Sequence, residues 1–208
     1  MPVNPPVQSG KSPKLTVTLL AVVFVMPPPA PVTFKVKAPT AALVVAVKVS
    51  SGMDDAWAQG LVATLNPHNQ PGRLTFIHRF GARDIEKSLP RLIKAVRETG
   101  QSVLWVCDPM HGNTETSTGG LKTRRFENIL NEIDLAFRIH GEMGSYLGGV
   151  HIELTGEDVT ECTGGARGLT DADLQRAYRS TVDPRLNQEQ ALELALLIAE
   201  RSHNHRNH

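Results

Sequence analysis

The sequence predicts an α/β fold of four β-strand–α-helix units, equivalent to half of a (β/α)8 TIM-type barrel, behind an atypical N-terminal extension. Three observations predict it. From Leu43 onward, short apolar runs rich in β-branched residues alternate with longer segments whose apolar residues recur at helical spacing. Gly and Pro breakers separate the two kinds of segment. Polar residues gather at the ends of the short runs: Lys48, Arg79, Asp108 to His111, and Glu153 to Gly156.

Leu43–Val49 is the first strand, a run of small and β-branched apolar residues suited to burial on both faces. Met53–Leu65 follows as a helix, with Asp54 and Asp55 at its positive end. Breaks at Asn66-Pro67 and Pro71-Gly72 lead into a second strand, Leu74–His78. Ile85, Leu89, Leu92, Ile93 and Val96 mark a second helix that stops at Gly100. Val103–Val106 is a third strand, followed by a Gly/Thr-rich loop. Phe126, Ile129, Leu130, Ile133 and Phe137 mark a third helix. Val150–Leu154 is a fourth strand and Asn187–Arg201 a final helix. Repeated strand–helix pairs imply parallel strands joined by right-handed crossovers. Periodicity alone leaves a doubly wound sheet open. The polar strand ends favour a barrel, whose catalytic face they would form.

Residues 1–42 stand apart. No acidic residue precedes Asp54, and nine of the 14 prolines fall by Pro39. Leu15 to Met26 is apolar and follows Lys11 and Lys14, which resembles the core of an export signal. It lacks a clear cleavage site and is short for a hydrocarbon core of about 30 Å. The segment is expected to be a disordered extension or the product of a misplaced start, with an export or anchor signal as the remaining alternative. Residues 43–202 form the folded unit, and 203–208 a solvated His-rich tail.

A net charge of +1 gives no electrostatic case for nucleic acid or an anionic membrane. Two cysteines, Cys107 and Cys162, cannot make a disulfide framework, so a reducing cytoplasm is expected.

At the strand ends, His111, Glu153 and Asp183 are an imidazole and two carboxylates, a set suited to Mn²⁺, Fe²⁺, Co²⁺ or Zn²⁺. Lys48 and Arg79, on neighbouring strands, are candidates for gripping a phosphate or carboxylate. Each residue has a plainer reading. His111 follows a turn-forming proline, and Asp183 before Pro184 suits a turn. Glu153 between strand apolars, and Lys48 between Val47 and Val49, would need partners if they face inward. Residue chemistry alone reaches an α/β enzyme with an anionic substrate and a candidate metal.

Six blocks go further. Trp105 to Asn113 resembles the WxCDPMHGN signature of class II, plant-like 3-deoxy-7-phosphoheptulonate synthases. So do Pro71 to Thr75 running into Arg79 to Ala82, Gly120 to Arg124, Gly148 to Gly156, Val159 to Gly165, and Asp183 to Asn187. The blocks occur in family order at family-like separations. The resemblance implies the C-terminal half of a barrel enzyme that joins phosphoenolpyruvate to erythrose 4-phosphate at the entry to the shikimate pathway. It implies that His111, Glu153 and Asp183 are metal ligands, with Mn²⁺ preferred and Co²⁺ or Zn²⁺ as alternatives. Lys48 and Arg79 match catalytic positions that grip phosphoenolpyruvate, while Lys122 and Arg124 are further candidates for substrate contact. The full-length enzyme is expected to be a homo-oligomer. The family's first half supplies a cysteine ligand, a Lys-Pro-Arg motif and an Arg-Ser motif, none of which is found in residues 1–46. Val182 stands where members often carry a second cysteine, so a redox pairing there is excluded. The competing expectations are a non-catalytic remnant, a partner module of a split synthase and, more distantly, a structural metal-binding protein.

Overall fold

The computed structural model describes residues 21–23 and 44–206. Its centre is a five-stranded parallel sheet in the order β1 (Ala21–Val23), β2 (Val45–Val49), β3 (Leu74–His78), β4 (Leu104–Cys107) and β7 (Leu147–Val150). β5 (Thr114–Thr116) and β6 (Lys122–Arg124) form a separate antiparallel hairpin. The four main strands are adjacent, parallel and in the expected order. The described sheet is open, with β1 and β7 at its edges, as in part of a barrel.

From β2 onward the crossovers carry helices: α1 (Asp55–Leu65) between β2 and β3, α2 (Ile85–Glu98) between β3 and β4, and α3 (Phe126–Glu142) before β7. α4 (Gln188–Arg206) packs on α3. The start of α1 is set by Asp54, whose carboxylate accepts the Trp57 N–H at 2.7 Å. α2 ends at Glu98, and Gly100, with φ of 68°, turns the chain away from the helix. The strands' apolar residues meet Ile85, Leu89, Ile93, Ile129 and Ile133 in one core. Phe76 and Trp105 pack edge to face there, with ring centres 5.9 Å apart.

Four details depart from the expectations. The last parallel strand is Leu147–Val150, not Val150–Leu154. β4 ends at Cys107, whose carbonyl accepts the His151 N–H, so the following residues have no ladder to join. They run on to a single parallel bridge, Leu154 with Leu186. The Gly/Thr-rich loop after β4 contains the β5–β6 hairpin, and Asp171–Arg176 is a 3-10 helix. α4 continues to Arg206, into the segment read as a tail, because no Gly or Pro interrupts it. The extension 1–42 otherwise lies outside the described residues, but Ala21–Val23 forms β1 in register with Val45–Val47.

Candidate active site and metal centre

The site lies where β2, β3, β4 and β7 end. Lys48 is the penultimate residue of β2. Asp108 follows β4, and His111 opens a short 3-10 turn three residues later. Glu153 leaves β7 on the extended run described above. Asp183 comes from the loop before α4, and Arg124 ends β6.

These side chains form a continuous line. Lys48 Nζ donates to Asp108 Oδ2 at 2.8 Å and lies 3.4 Å from His111 Nδ1. Asp108 Oδ2 is 2.7 Å from His111 Nδ1, and its other oxygen accepts the backbone N–H groups of Met110 and His111. On the far side of the ring, His111 Nε2 is 3.3 Å from Glu153 Oε1. Glu153 Oε2 in turn accepts from Arg124 Nη1 at 2.7 Å.

The charges respond accordingly. Burial opposes the Asp108 carboxylate, but hydrogen bonds from His111 and Lys48 outweigh it and hold its pKa well below the usual range. His111 is pushed up to about 9 by its hydrogen bonds to Asp108 and Glu153, against the effect of burial. Glu153 is held down to about 2, first by His111 and, despite burial, also by Arg124.

The ligand atoms of His111, Glu153 and Asp183 all lie within 4.8 Å of one another. One imidazole and two carboxylates, converging from three separate loops, fit a divalent ion. Such an ion at Nε2 would replace the proton that His111 now shares with Glu153. Arg124 has a supporting position here. Its guanidinium is fully buried, held by Glu153, by Thr114 Oγ1 at 3.0 Å and by the Pro184 carbonyl. Lys122 is exposed, and its Nζ is 3.3 Å from Asp183 Oδ1. Arg79 follows β3 with its N–H bonded to the Val49 carbonyl. Its half-buried side chain has no hydrogen-bond or ion-pair partner among the described residues.

Three carboxylates to which the sequence reading gave no role hold this arrangement. Asp108 orients both Lys48 and His111. Glu132, buried on α3, accepts the N–H groups of Phe80 and Gly81 and a bond from Asn113 Nδ2, joining the loop after Arg79 to the turn of His111. Burial works against the Glu161 carboxylate, but bonds from Arg185 and from the N–H groups of Arg179, Ser180 and Arg185 keep its pKa low. That clamp fixes the loop presenting Asp183. The available signal was a carboxylate amid apolar neighbours, which must find a partner. A cleft of about 320 Å³ opens beside Glu153 and Asp183, lined also by Ile152, Leu154, Val182 and Arg185. A second cleft of similar size, by Gly81, Arg83 and Asn113, contains none of the predicted residues.

Residues 35–199 match the class-II DAHP synthetase family. The chain is 46% identical over 156 residues to phospho-2-dehydro-3-deoxyheptonate aldolase AroG of Mycolicibacterium smegmatis, covering 75% of this chain and 34% of that protein. It is 48% identical over 158 residues to the phospho-2-dehydro-3-deoxyheptonate aldolase of Neurospora crassa, covering 75% and 33%. The chain thus spans about one third of the length of these curated relatives. With the matched span enclosing all seven predicted site residues, the chain belongs to the class-II DAHP synthetase family.

Proposed function

We propose that this chain carries the metal-binding and phosphoenolpyruvate-gripping part of a 3-deoxy-7-phosphoheptulonate synthase. The observation that carries the reading is the convergence of His111, Glu153 and Asp183 within 4.8 Å, directly beside the Lys48–Asp108 pair. In the reaction, C3 of phosphoenolpyruvate attacks the aldehyde of erythrose 4-phosphate, water adds at C2, and inorganic phosphate leaves. A divalent ion held by His111, Glu153 and Asp183, with Mn²⁺ preferred over Co²⁺ or Zn²⁺, would polarise that aldehyde.

The chain's own residues bind and orient. Arg79 has its guanidinium uncommitted among the described residues and offers a two-pronged grip for phosphate or carboxylate. Lys48 adds a point charge, aimed by Asp108. Arg124 acts behind Glu153, fixing the carboxylate, while exposed Lys122 is placed to meet a substrate at the rim.

Titration calorimetry with phosphoenolpyruvate in the presence of Mn²⁺ tests this. The chain should bind, and Arg79→Ala and Lys48→Ala should each weaken binding by about tenfold or more, the worth of a charged hydrogen bond. Unchanged affinity in both variants would refute the anion clamp.

A further inference from the structure

A second group of side chains lies on the opposite side of the sheet. His78 and Cys107 are the last residues of β3 and β4 and are directly paired in register, so they share one face. Asp108, the next residue, belongs to the site already described, which places Cys107 away from it. α3 covers this face and brings Glu132 over the pair. All three residues are fully buried.

We propose that His78, Cys107 and Glu132 form a buried structural site for a thiophilic divalent ion such as Zn²⁺. Their Sγ, ring-nitrogen and carboxylate atoms lie within 4.8 Å of one another. A point therefore exists within about 2.8 Å of all three, and a contraction of about 0.5–0.8 Å would reach bonding distances of about 2.0–2.3 Å. An independent observation points the same way. Both ring nitrogens of His78 are buried without a hydrogen-bond partner among the described residues, whereas buried polar atoms are normally satisfied. An ion would give one of them a bond.

The donor set decides the class of ion. A thiolate with an imidazole suits Zn²⁺ or Co²⁺ better than Mg²⁺, Ca²⁺ or Mn²⁺. On binding, the Cys107 S–H bond breaks, the sulfur bonds the metal, and the proton leaves to solvent. Thiolate and carboxylate then cancel the dication's charge, which is what a dry interior tolerates. The Glu132 carboxylate is already oriented by Phe80 N–H at 3.1 Å, Gly81 N–H at 3.0 Å and Asn113 Nδ2 at 2.7 Å, the outer support that ligating carboxylates need. An ion here would pin α3 to the strand ends and, through Glu132, brace the loops that carry Arg79 and His111.

The test is Co²⁺ loading of the full 208-residue chain carrying Cys162→Ser, in which Cys107 is the one remaining cysteine. The expected result is a thiolate-to-cobalt charge-transfer band in the near ultraviolet, saturating at one equivalent of thiolate-bound metal. Adding Cys107→Ser should abolish it and His78→Ala should diminish it, whereas His111→Ala should leave it intact. Absence of the band overturns the site, as does its survival in the Cys107→Ser chain or its loss in the His111→Ala chain. X-ray absorption on the Cys162→Ser chain gives an answer even where a further variant fails to fold. One sulfur at about 2.3 Å supports the site, and a shell of nitrogen and oxygen alone overturns it.

Discussion

Asp108 Oδ2 stands between Lys48 Nζ, at 2.8 Å, and His111 Nδ1, at 2.7 Å, so one buried carboxylate orients both the candidate anion grip and a candidate metal ligand. The side chain of Asp108 is wholly buried and that of Lys48 nearly so. Removing the carboxylate breaks a buried ion pair from one side, a change that costs about 3–5 kcal/mol. Asp108→Ala should therefore lower unfolding free energy by that amount in urea titrations. A loss below about 1 kcal/mol would show that the pair is solvated in solution.

Metal binding should depend on a residue that is not a ligand. Arg124 Nη1 holds Glu153 Oε2, while Glu153 Oε1 faces His111. Loss of such a supporting bond typically costs about 10–100-fold in metal affinity. Calorimetric titration with Mn²⁺ should show that drop for Arg124→Lys, and no binding at this centre for the triple variant His111→Ala, Glu153→Ala, Asp183→Ala. Equal affinity for wild type and Arg124→Lys would mean that Glu153 needs no support.

The loops of Arg79 and His111 touch through two glycines. A Cβ on Gly112 would fall on the backbone of its neighbours, 2.8 Å from Gly81 Cα and from Phe80 C. Neither can move as a flexible side chain would. Gly112→Ala should therefore destabilise the chain by about 1–3 kcal/mol, as overpacking does, and weaken Mn²⁺ binding with it. Thermal melts and the same calorimetry measure both effects.

Acid should loosen the Asp183 loop through Glu161. Its folded-state pKa is lowered, the bonds from Arg185 and three backbone N–H groups overcoming burial. A depressed carboxylate contributes stability that is complete above its unfolded pKa of about 4.3 and lost as pH falls through the folded value. Wild type should therefore lose more stability than Glu161→Gln as pH drops from about 5 toward 3. Parallel pH profiles for the two chains would contradict this.

How much of this was readable in advance follows from what generates each feature. β2, β3 and β4 were legible because strands buried on both faces are continuous apolar runs. The β5–β6 hairpin was not, since Thr114–Thr116 and Lys122–Arg124 have no apolar alternation and are joined through Gly120, with φ of 80°. The fourth strand was placed too late because Ile152 and Leu154 look like strand interior, while Gly148 and Gly149 do not. A Cβ at Gly148 would meet the Leu104 side chain, which would have to turn aside. Among the site residues, spacing alone could not bring together His111, Glu153 and Asp183, which lie far apart in the chain. The supporting roles of Asp108, Glu132 and Glu161 were hidden for a related reason: each is defined by partners that only the fold supplies.

The last prediction concerns turnover by these 208 residues alone. On the proposed reading, His111, Glu153 and Asp183 gather one ion, and Arg79 and Lys48 attract phosphoenolpyruvate. The resemblance assigns a further metal-binding cysteine, further anion contacts and the aldose-phosphate grip to the family's first half. Without them the aldehyde carbon is not held against C3 of phosphoenolpyruvate. Holding two reactants in attack geometry can be worth about 7–11 kcal/mol, so losing it should take the rate to near background. Phosphoenolpyruvate consumption with erythrose 4-phosphate and Mn²⁺ should therefore be negligible for the chain alone. Fusion to the complementary segment of a family relative should restore phosphoheptulonate formation, and His111→Ala in the fusion should abolish it again. Robust turnover by the chain alone, lost on His111→Ala, would keep the family reaction and show that these residues suffice for it. A well-folded fusion that binds metal yet makes no product would instead leave the chain as a binding module.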